Sequence, residues 1–158
     1  DIPLSSSLSV SSYSIVLWMN SQAVSRRGVF YLTEGEGGSV SEMVRLFIPT
    51  SNFMEFDKAG SSVPTEQGNI VIPFNSNTWE NIAATFDVTS LTGKIYRNGV
   101  FQSQATSVDM SISISSSGKI SWDAGGGDFQ GQIDEVMIFN KALTDAQVKS
   151  LYQLDLSK

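Results

Sequence analysis

Cysteine and histidine are both absent from this 158-residue chain. Without cysteine there is no disulfide framework of the kind that staples small animal ectodomains, and a chain of this length can bury a proper core without one. Without either residue, a Ser-His-Asp triad, a Cys-His nucleophile and a His or Cys metal centre are all excluded, which removes most hydrolases. Charge is scarce as well: Asp, Glu, Lys and Arg make up 16% of the residues and leave a net charge of -6. That balance argues against nucleic acid or an anionic membrane as the main partner. The one basic pair, Arg26-Arg27, precedes a strand pattern and reads as a solvated turn. No apolar run is long enough to span a bilayer and no basic leader precedes an apolar core, as expected of a mature or excised chain that opens at Asp1. Gly125-Gly126-Gly127 is not a phosphate loop, because no Lys-Ser/Thr follows it and it leads toward a strand instead of a helix.

What the chain does contain is Ser, Thr, Asn and Gly in abundance, a composition common in secreted β domains with polar, uncharged surfaces. Residues 13–20 alternate Tyr13, Ile15, Leu17 and Met19 against Ser14, Val16, Trp18 and Asn20. That segment is apolar on most of both faces and predicts a central strand. The Ser-rich segment 4–12 predicts a loop over the end of a sandwich. Further strands are predicted at 28–33, 43–49, 52–57, 69–73, 79–87 and 110–114, with an acidic loop at 34–41. Asn98-Gly99 between Ile95-Tyr96 and Val100-Phe101 predicts a hairpin on a two-residue type I′ turn. Roughly a dozen strands at regular spacing, with one helix at the end, predict an all-β antiparallel sandwich. No internal repeat or linker divides the chain, so residues 1–158 read as one domain.

The last third organises this pattern. Residues 118–122 form a short β run, 123–128 a Gly-rich turn, and 129–140 an apolar-rich run that reads as a central strand. Phe129, Gly131 and Ile133 stand in one phase of that run and Val136 and Ile138 in the other. One extra residue at Asp134-Glu135 would restore the inward phase, so a β-bulge carrying two adjacent carboxylates is predicted. Such a bulge can aim the acids into a site, leave them in solvent, or let them cap a loop. Glu135, on a mostly apolar strand, is expected to need a partner. Beyond it Thr144 stands as an N-cap with Gln147 three residues on, and Ala146, Val148, Leu151 and Tyr152 supply the apolar stripe of one short helix over 144–152. That helix would cover a sheet edge.

Read from Phe129-Gln-Gly-Gln-Ile-Asp-Glu-Val through Asn140-Lys-Ala-Leu to Leu151-Tyr152, this segment resembles the closing signature of the laminin-G-like, concanavalin A-like jelly-roll domains. Residues 13–20 resemble that family's early core strand, 79–87 its central Trp strand and 94–101 its Asn-Gly hairpin. The resemblance implies a two-sheet jelly roll. It also implies that calcium is the inorganic partner, held by Asp134 with Asp1 and backbone carbonyls beside it. Some glucanases share this fold and carry acids in the form Glu-x-Asp-x-x-Glu on one strand. Here Asp134 and Glu135 are consecutive and a third acid is missing, so glycoside hydrolysis is discounted.

A sugar site usually sets an aromatic platform beside polar groups. Trp18 and Trp79 fall on strands that match core strands and are expected to pack inside. Trp122, Asp123 and Asp128, around the triple-Gly turn, are the ligand-binding candidates. The function expected is therefore a non-catalytic recognition or adhesion module at the cell surface or outside the cell, binding a glycan or a protein. The alternative is a structural subunit of a surface filament or sheath. Family members place a further strand ahead of the segment matching Ile2-Pro3, so the edge beside the closing strand is expected either to be covered by residues 2–10 or to stand open for self-association.

Overall fold

The computed structural model describes residues 2–3, 8–10, 12–22, 27–34, 42–60, 63, 65–114, 117–120 and 128–155. Among them are thirteen strands and one helix, and eleven of the strands form two stacked antiparallel sheets, the predicted jelly-roll sandwich. The strands are β1 (Ile2–Pro3), β2 (Leu8–Val10), β3 (Tyr13–Ser21), β4 (Arg27–Glu34), β5 (Glu42–Ile48), β6 (Phe53–Ala59), β7 (Gln67–Pro73), β8 (Trp79–Asp87), β9 (Thr92–Arg97), β10 (Val100–Thr106), β11 (Ile112–Ile114), β12 (Ser117–Ile120) and β13 (Gly131–Phe139). The helix, α1, spans Asp145–Asp155. One sheet has the order β1-β12-β4-β5-β6-β7 and the other β10-β9-β8-β3-β13, while β11 and β2 pair separately. Segment 4–12, expected as loop, thus contains β2, a strand too short to show a period of its own.

The core lies between the sheets. Tyr13, Ile15, Leu17 and Met19 of β3, with Ile82, Ala84 and Phe86 of β8, face Phe30, Leu32, Val44, Leu46, Met54 and Phe56 of the other sheet. Each belongs to a period-2 series, so one face of every strand enters the same apolar layer and leaves water, at about 25 cal/mol per Å². Tyr13 is fully buried, and its hydroxyl donates to the Met110 carbonyl at 3.0 Å, so the one polar atom it brings inside is satisfied.

β13 carries the predicted bulge. Asp134 pairs with Trp18 and Met137 with Val16, so Glu135 and Val136 stand opposite the single residue Leu17. Glu135 takes φ 48°, a left-handed conformation that turns the chain and returns Val136 and Ile138 to the inner face beside Ile133. Gly131, at φ 151°, opens the strand, and a Cβ there would collide with the carbonyl oxygen of Asn20 on β3. One expectation is corrected here. β13 pairs with β3 alone among the described residues, so it is an edge strand and not a central one. Glu135 is exposed where the bulge turns it away from the apolar layer.

The helix is capped as predicted: the Thr144 hydroxyl accepts from the Gln147 N–H at 3.3 Å, and the Gln147 side chain accepts from the Thr144 N–H at 3.0 Å. It does not cover an edge. Val148 and Leu151, with Leu143 just before α1, pack on Val16, Ala83 and Tyr96, on the outer face of the five-stranded sheet. The Ser14 hydroxyl fixes the approach, accepting from the Leu143 N–H at 2.9 Å and donating to the Lys141 carbonyl at 2.8 Å. The Asn98-Gly99 turn adopts positive φ at both positions, 52° and 72°, and a side chain at Gly99 would meet the ring of Tyr152.

Candidate functional site

The outer face of the five-stranded sheet is covered by α1 over its middle and left open beyond the helix's last turns. Two cross-strand rows lie in that opening. In one, Gln132 of β13, Asn20 of β3 and Trp79 of β8 are direct neighbours; in the other, Asp134, Trp18 and Asn81 are. Facing residues of adjacent strands stand roughly 5 Å apart at Cβ, so the six side chains form one contiguous patch. Tyr152 closes it from above, its ring stacked on that of Trp18 at 5.7 Å with 29° between planes.

Exposure within the patch is graded. Trp79 is 42% exposed, Gln132 and Asp134 are open to solvent, and Trp18, Asn20 and Tyr152 are half-buried. Asn81 is buried and tied down by a reciprocal contact: its N–H donates to the Asn98 side chain at 2.9 Å and its carbonyl accepts from the Asn98 N–H at 2.8 Å. Asp134 accepts the Glu135 N–H at 2.8 Å, which fixes its carboxylate across the bulge. Upstream, Asn77, at φ 57°, donates its N–H to the Ser21 carbonyl at 2.7 Å. The Asn75 amide donates to Glu80 at 2.8 Å, so the entry to β8, and with it Trp79, is held at both ends. Indole faces beside amides and a carboxylate offer apolar contact for a ring's C–H face and donors and acceptors for its hydroxyls.

The sequence-predicted residues divide. Asp134 lies in this patch. Trp79 was expected inside and is exposed, because its phase puts it on the outer face at a point α1 does not reach. Trp18 shares that face. Asp128 is exposed just ahead of β13. Asp1, Trp122 and Asp123 lie outside the described residues, as does Arg26. Sequence reasoning missed Asn20, Asn81, Gln132 and Tyr152. The signal for Asn20 was present, since it alternates in phase with Trp18, whereas Tyr152 was read only as packing.

Calcium takes six to eight oxygen ligands, and several carboxylates usually supply them. Among the described residues no three Asp, Glu, His or Cys side chains gather as ion ligands. Asp134 therefore brings one carboxylate, one of whose oxygens already accepts a backbone N–H. The described residues do not by themselves make a calcium site.

The opposite outer face is built differently. Arg45 of β5 stands across from Asp57 of β6 and holds it with two bonds, Nε to Oδ1 at 2.7 Å and Nη2 to Oδ2 at 2.6 Å. Nη2 also reaches Glu66 at 2.8 Å, and the guanidinium lies 4.3 Å from the Phe47 ring centre. Burial alone would lower the Arg45 pKa, but the bonds and charge of Asp57, helped by Glu66, outweigh it and keep the guanidinium charged. Burial raises the Asp57 carboxyl above its ordinary value, with the Arg45 bonds opposing. This network satisfies itself and reads as scaffold.

The chain is similar to known proteins in two respects. The family model described as the concanavalin A-like lectin/glucanases superfamily matches residues 1–149. Among solved structures it is similar to domain 4 of AbnA, a GH43 extracellular arabinanase from Geobacillus stearothermophilus, in complex with arabinotriose. The identity is 22% and the TM-score 0.69, covering 96% of this chain and 70% of that one. It is also similar to the CBM40 of the Ruminococcus gnavus IT-sialidase, bound to α2,3-sialyllactose (11% identity, TM-score 0.70, 91% of this chain and 84% of that one). A third likeness is to the heptameric SAP-like pentraxin of Limulus polyphemus (14%, 0.66, 96% and 76%). At these identities the likeness is one of fold. A search of the curated proteins finds no match.

Proposed function

The chain belongs to the concanavalin A-like lectin/glucanase superfamily, and from that premise we propose that it is a non-catalytic carbohydrate-recognition module of a secreted or surface protein. The observation that carries this reading is the patch in which exposed Trp79 and half-buried Trp18 and Tyr152 stand beside Asn20, Gln132 and Asp134. Stacking on an indole and hydrogen bonding to amides hold a sugar without moving a proton, and Asp134 is the one acid among the described residues of the patch. The neighbours support the ligand class, since arabinotriose and sialyllactose are bound by proteins of this fold. One of them is part of an extracellular enzyme, which supports the location. A glycan array, run with and without calcium on wild type and Trp79→Ala, tests the reading. Binding to a defined set of glycans that Trp79→Ala abolishes supports it, and a blank array, or hits indifferent to Trp79, overturns it. The calcium arm asks separately whether a metal at Asp134 contributes.

A second reading has its own observation. β13 ends the five-stranded sheet among the described residues, and its inward side chains Ile133, Val136 and Ile138 are only half-buried. An unpaired strand edge is a template for another chain. Self-association through it predicts concentration-dependent sedimentation; a monomer at all concentrations removes it.

A further inference from the structure

A cleft of about 580 Å³ opens on the same outer face at the other end of α1. Its volume falls within the roughly 300–1,000 Å³ of small-ligand sites. The floor is a single cross-strand row over three strands, Thr85 of β8, Lys94 of β9 and Gln104 of β10. The chain entering α1 forms one wall, with Leu143, Thr144 and Asp145, and the turn holding Asp87 and Ser90 closes the far end. Both acids are fixed. Asp145 accepts from the Tyr96 hydroxyl at 2.8 Å and from Lys94 at 3.1 Å. Asp87 accepts the Thr89 N–H at 3.0 Å and the Ser90 hydroxyl at 2.9 Å. Phe101, next along β10, is 42% exposed with the Lys94 ammonium 5.7 Å from its ring centre.

That lining selects by chemistry. Two carboxylates oppose an anion, the Lys94 ammonium paired with Asp145 opposes a metal cation, and a wholly apolar ligand would take these charges out of water with nothing in return. A neutral polyhydroxylated ligand fits, because each hydroxyl can donate to a carboxylate and accept from Lys94, Gln104 or a threonine. We propose that this cleft is a second saccharide site, separate from the Trp79 patch. The two differ in shape: the patch is an open face, suited to the length of a chain, and the cleft is walled, suited to a chain end. An eleven-residue helix lies between them, about 16 Å long. The domain then holds two saccharide segments at once. This inference shares with the proposed function only the class of ligand.

The test is a titration of the amide and indole NMR signals with three neutral probes, arabinotriose, cellotriose and lactose, on wild type, Trp79→Ala, Gln104→Ala and Lys94→Met. The expected result is two responding groups for at least one probe, one around Trp79 and Asn20 and one around Lys94, Gln104 and Thr144. The second should persist in Trp79→Ala and disappear in Gln104→Ala and Lys94→Met, whose melting curves and Trp79 response report that they are folded. Response at Trp79 with a silent cleft overturns the cleft alone. A cleft response that vanishes in Trp79→Ala was relayed and also overturns it. A cleft response without one at Trp79 supports the cleft and sinks the patch, and silence at both removes both.

Discussion

Replacing Asp57 with Ala should destabilise the sandwich more than most surface changes, because it strands Arg45. Asp57 has no exposed side-chain area, while Arg45 keeps 18% of its side chain in solvent and retains Glu66 and the Phe47 ring. Removing one partner of a buried pair costs about 3–5 kcal/mol, and the partial exposure of Arg45 places this case at the lower end, about 3. For a domain of this size each kcal/mol moves Tm by about 2–4 °C, so Asp57→Ala is expected to melt roughly 6–12 °C below wild type. The companion variant, Arg45→Met with Asp57→Leu, removes both charges and their desolvation, and is expected to recover most of that loss. Calorimetry on both, with agreement between calorimetric and van't Hoff enthalpies as the check on two-state melting, gives the comparison. A fall below about 2 °C for Asp57→Ala, or a double variant less stable than the single one, would refute the account of this network as a satisfied buried pair.

Four further outcomes are expected. Gly131→Ala places a Cβ against the Asn20 carbonyl at a φ that L side chains avoid; a loss of roughly 2–3 kcal/mol by urea unfolding is expected, and an unchanged midpoint would show that β13 can shift. Thr144→Ala removes the N-cap and should cost about 1 kcal/mol, read as a Tm about 2–4 °C lower. Asp134→Ala should lower Tm slightly and abolish any calcium-dependent rise in it; a wild type that shows no rise in millimolar calcium ends the metal proposal. The Tyr96 hydroxyl and then Lys94 lower the Asp145 pKa, and the Thr89 N–H and Ser90 hydroxyl lower that of Asp87. The stability these groups contribute is present above the ordinary carboxylate pKa and lost as pH falls through the depressed values, so Asp145→Asn should flatten the acid limb of the stability curve, and an unchanged limb counts against the bond to Tyr96.

Much of the fold was legible because it follows from local chemistry. Asn98-Gly99 is a residue pair that tolerates positive φ twice, Thr144 and Gln147 cap each other within one turn, and the phase break at Asp134-Glu135 records a bulge directly. What failed depended on neighbours far away in sequence. β13 read as central because it is apolar on both faces, yet one face meets the core and the other α1, and apolarity reports covered faces without reporting edges. Trp79 and Ala83 share a phase and differ in fate: α1 lands on Ala83 and stops short of Trp79. Nothing in residues 79–87 says where a helix sixty residues later will lie. The binding patch inherits that difficulty, since Gln132, Asn20 and Trp79 become neighbours only through the β3 pairings.

Those pairings also set the order in which the chain can mature on a ribosome. β3, the third strand in chain order, waits for β8 at residue 79 before it gains its first partner and for β13 at residue 131 before it gains its second. β1 waits longer still for β12, and β2 for β11. Contacts this distant in sequence slow folding, because loop closure comes before the reward. The strand with Ile15, Leu17 and Trp18 therefore has one free edge until residues 79–87 are made and a second until residues 131–139 are made, and β13 acts as the latch that completes its pairing.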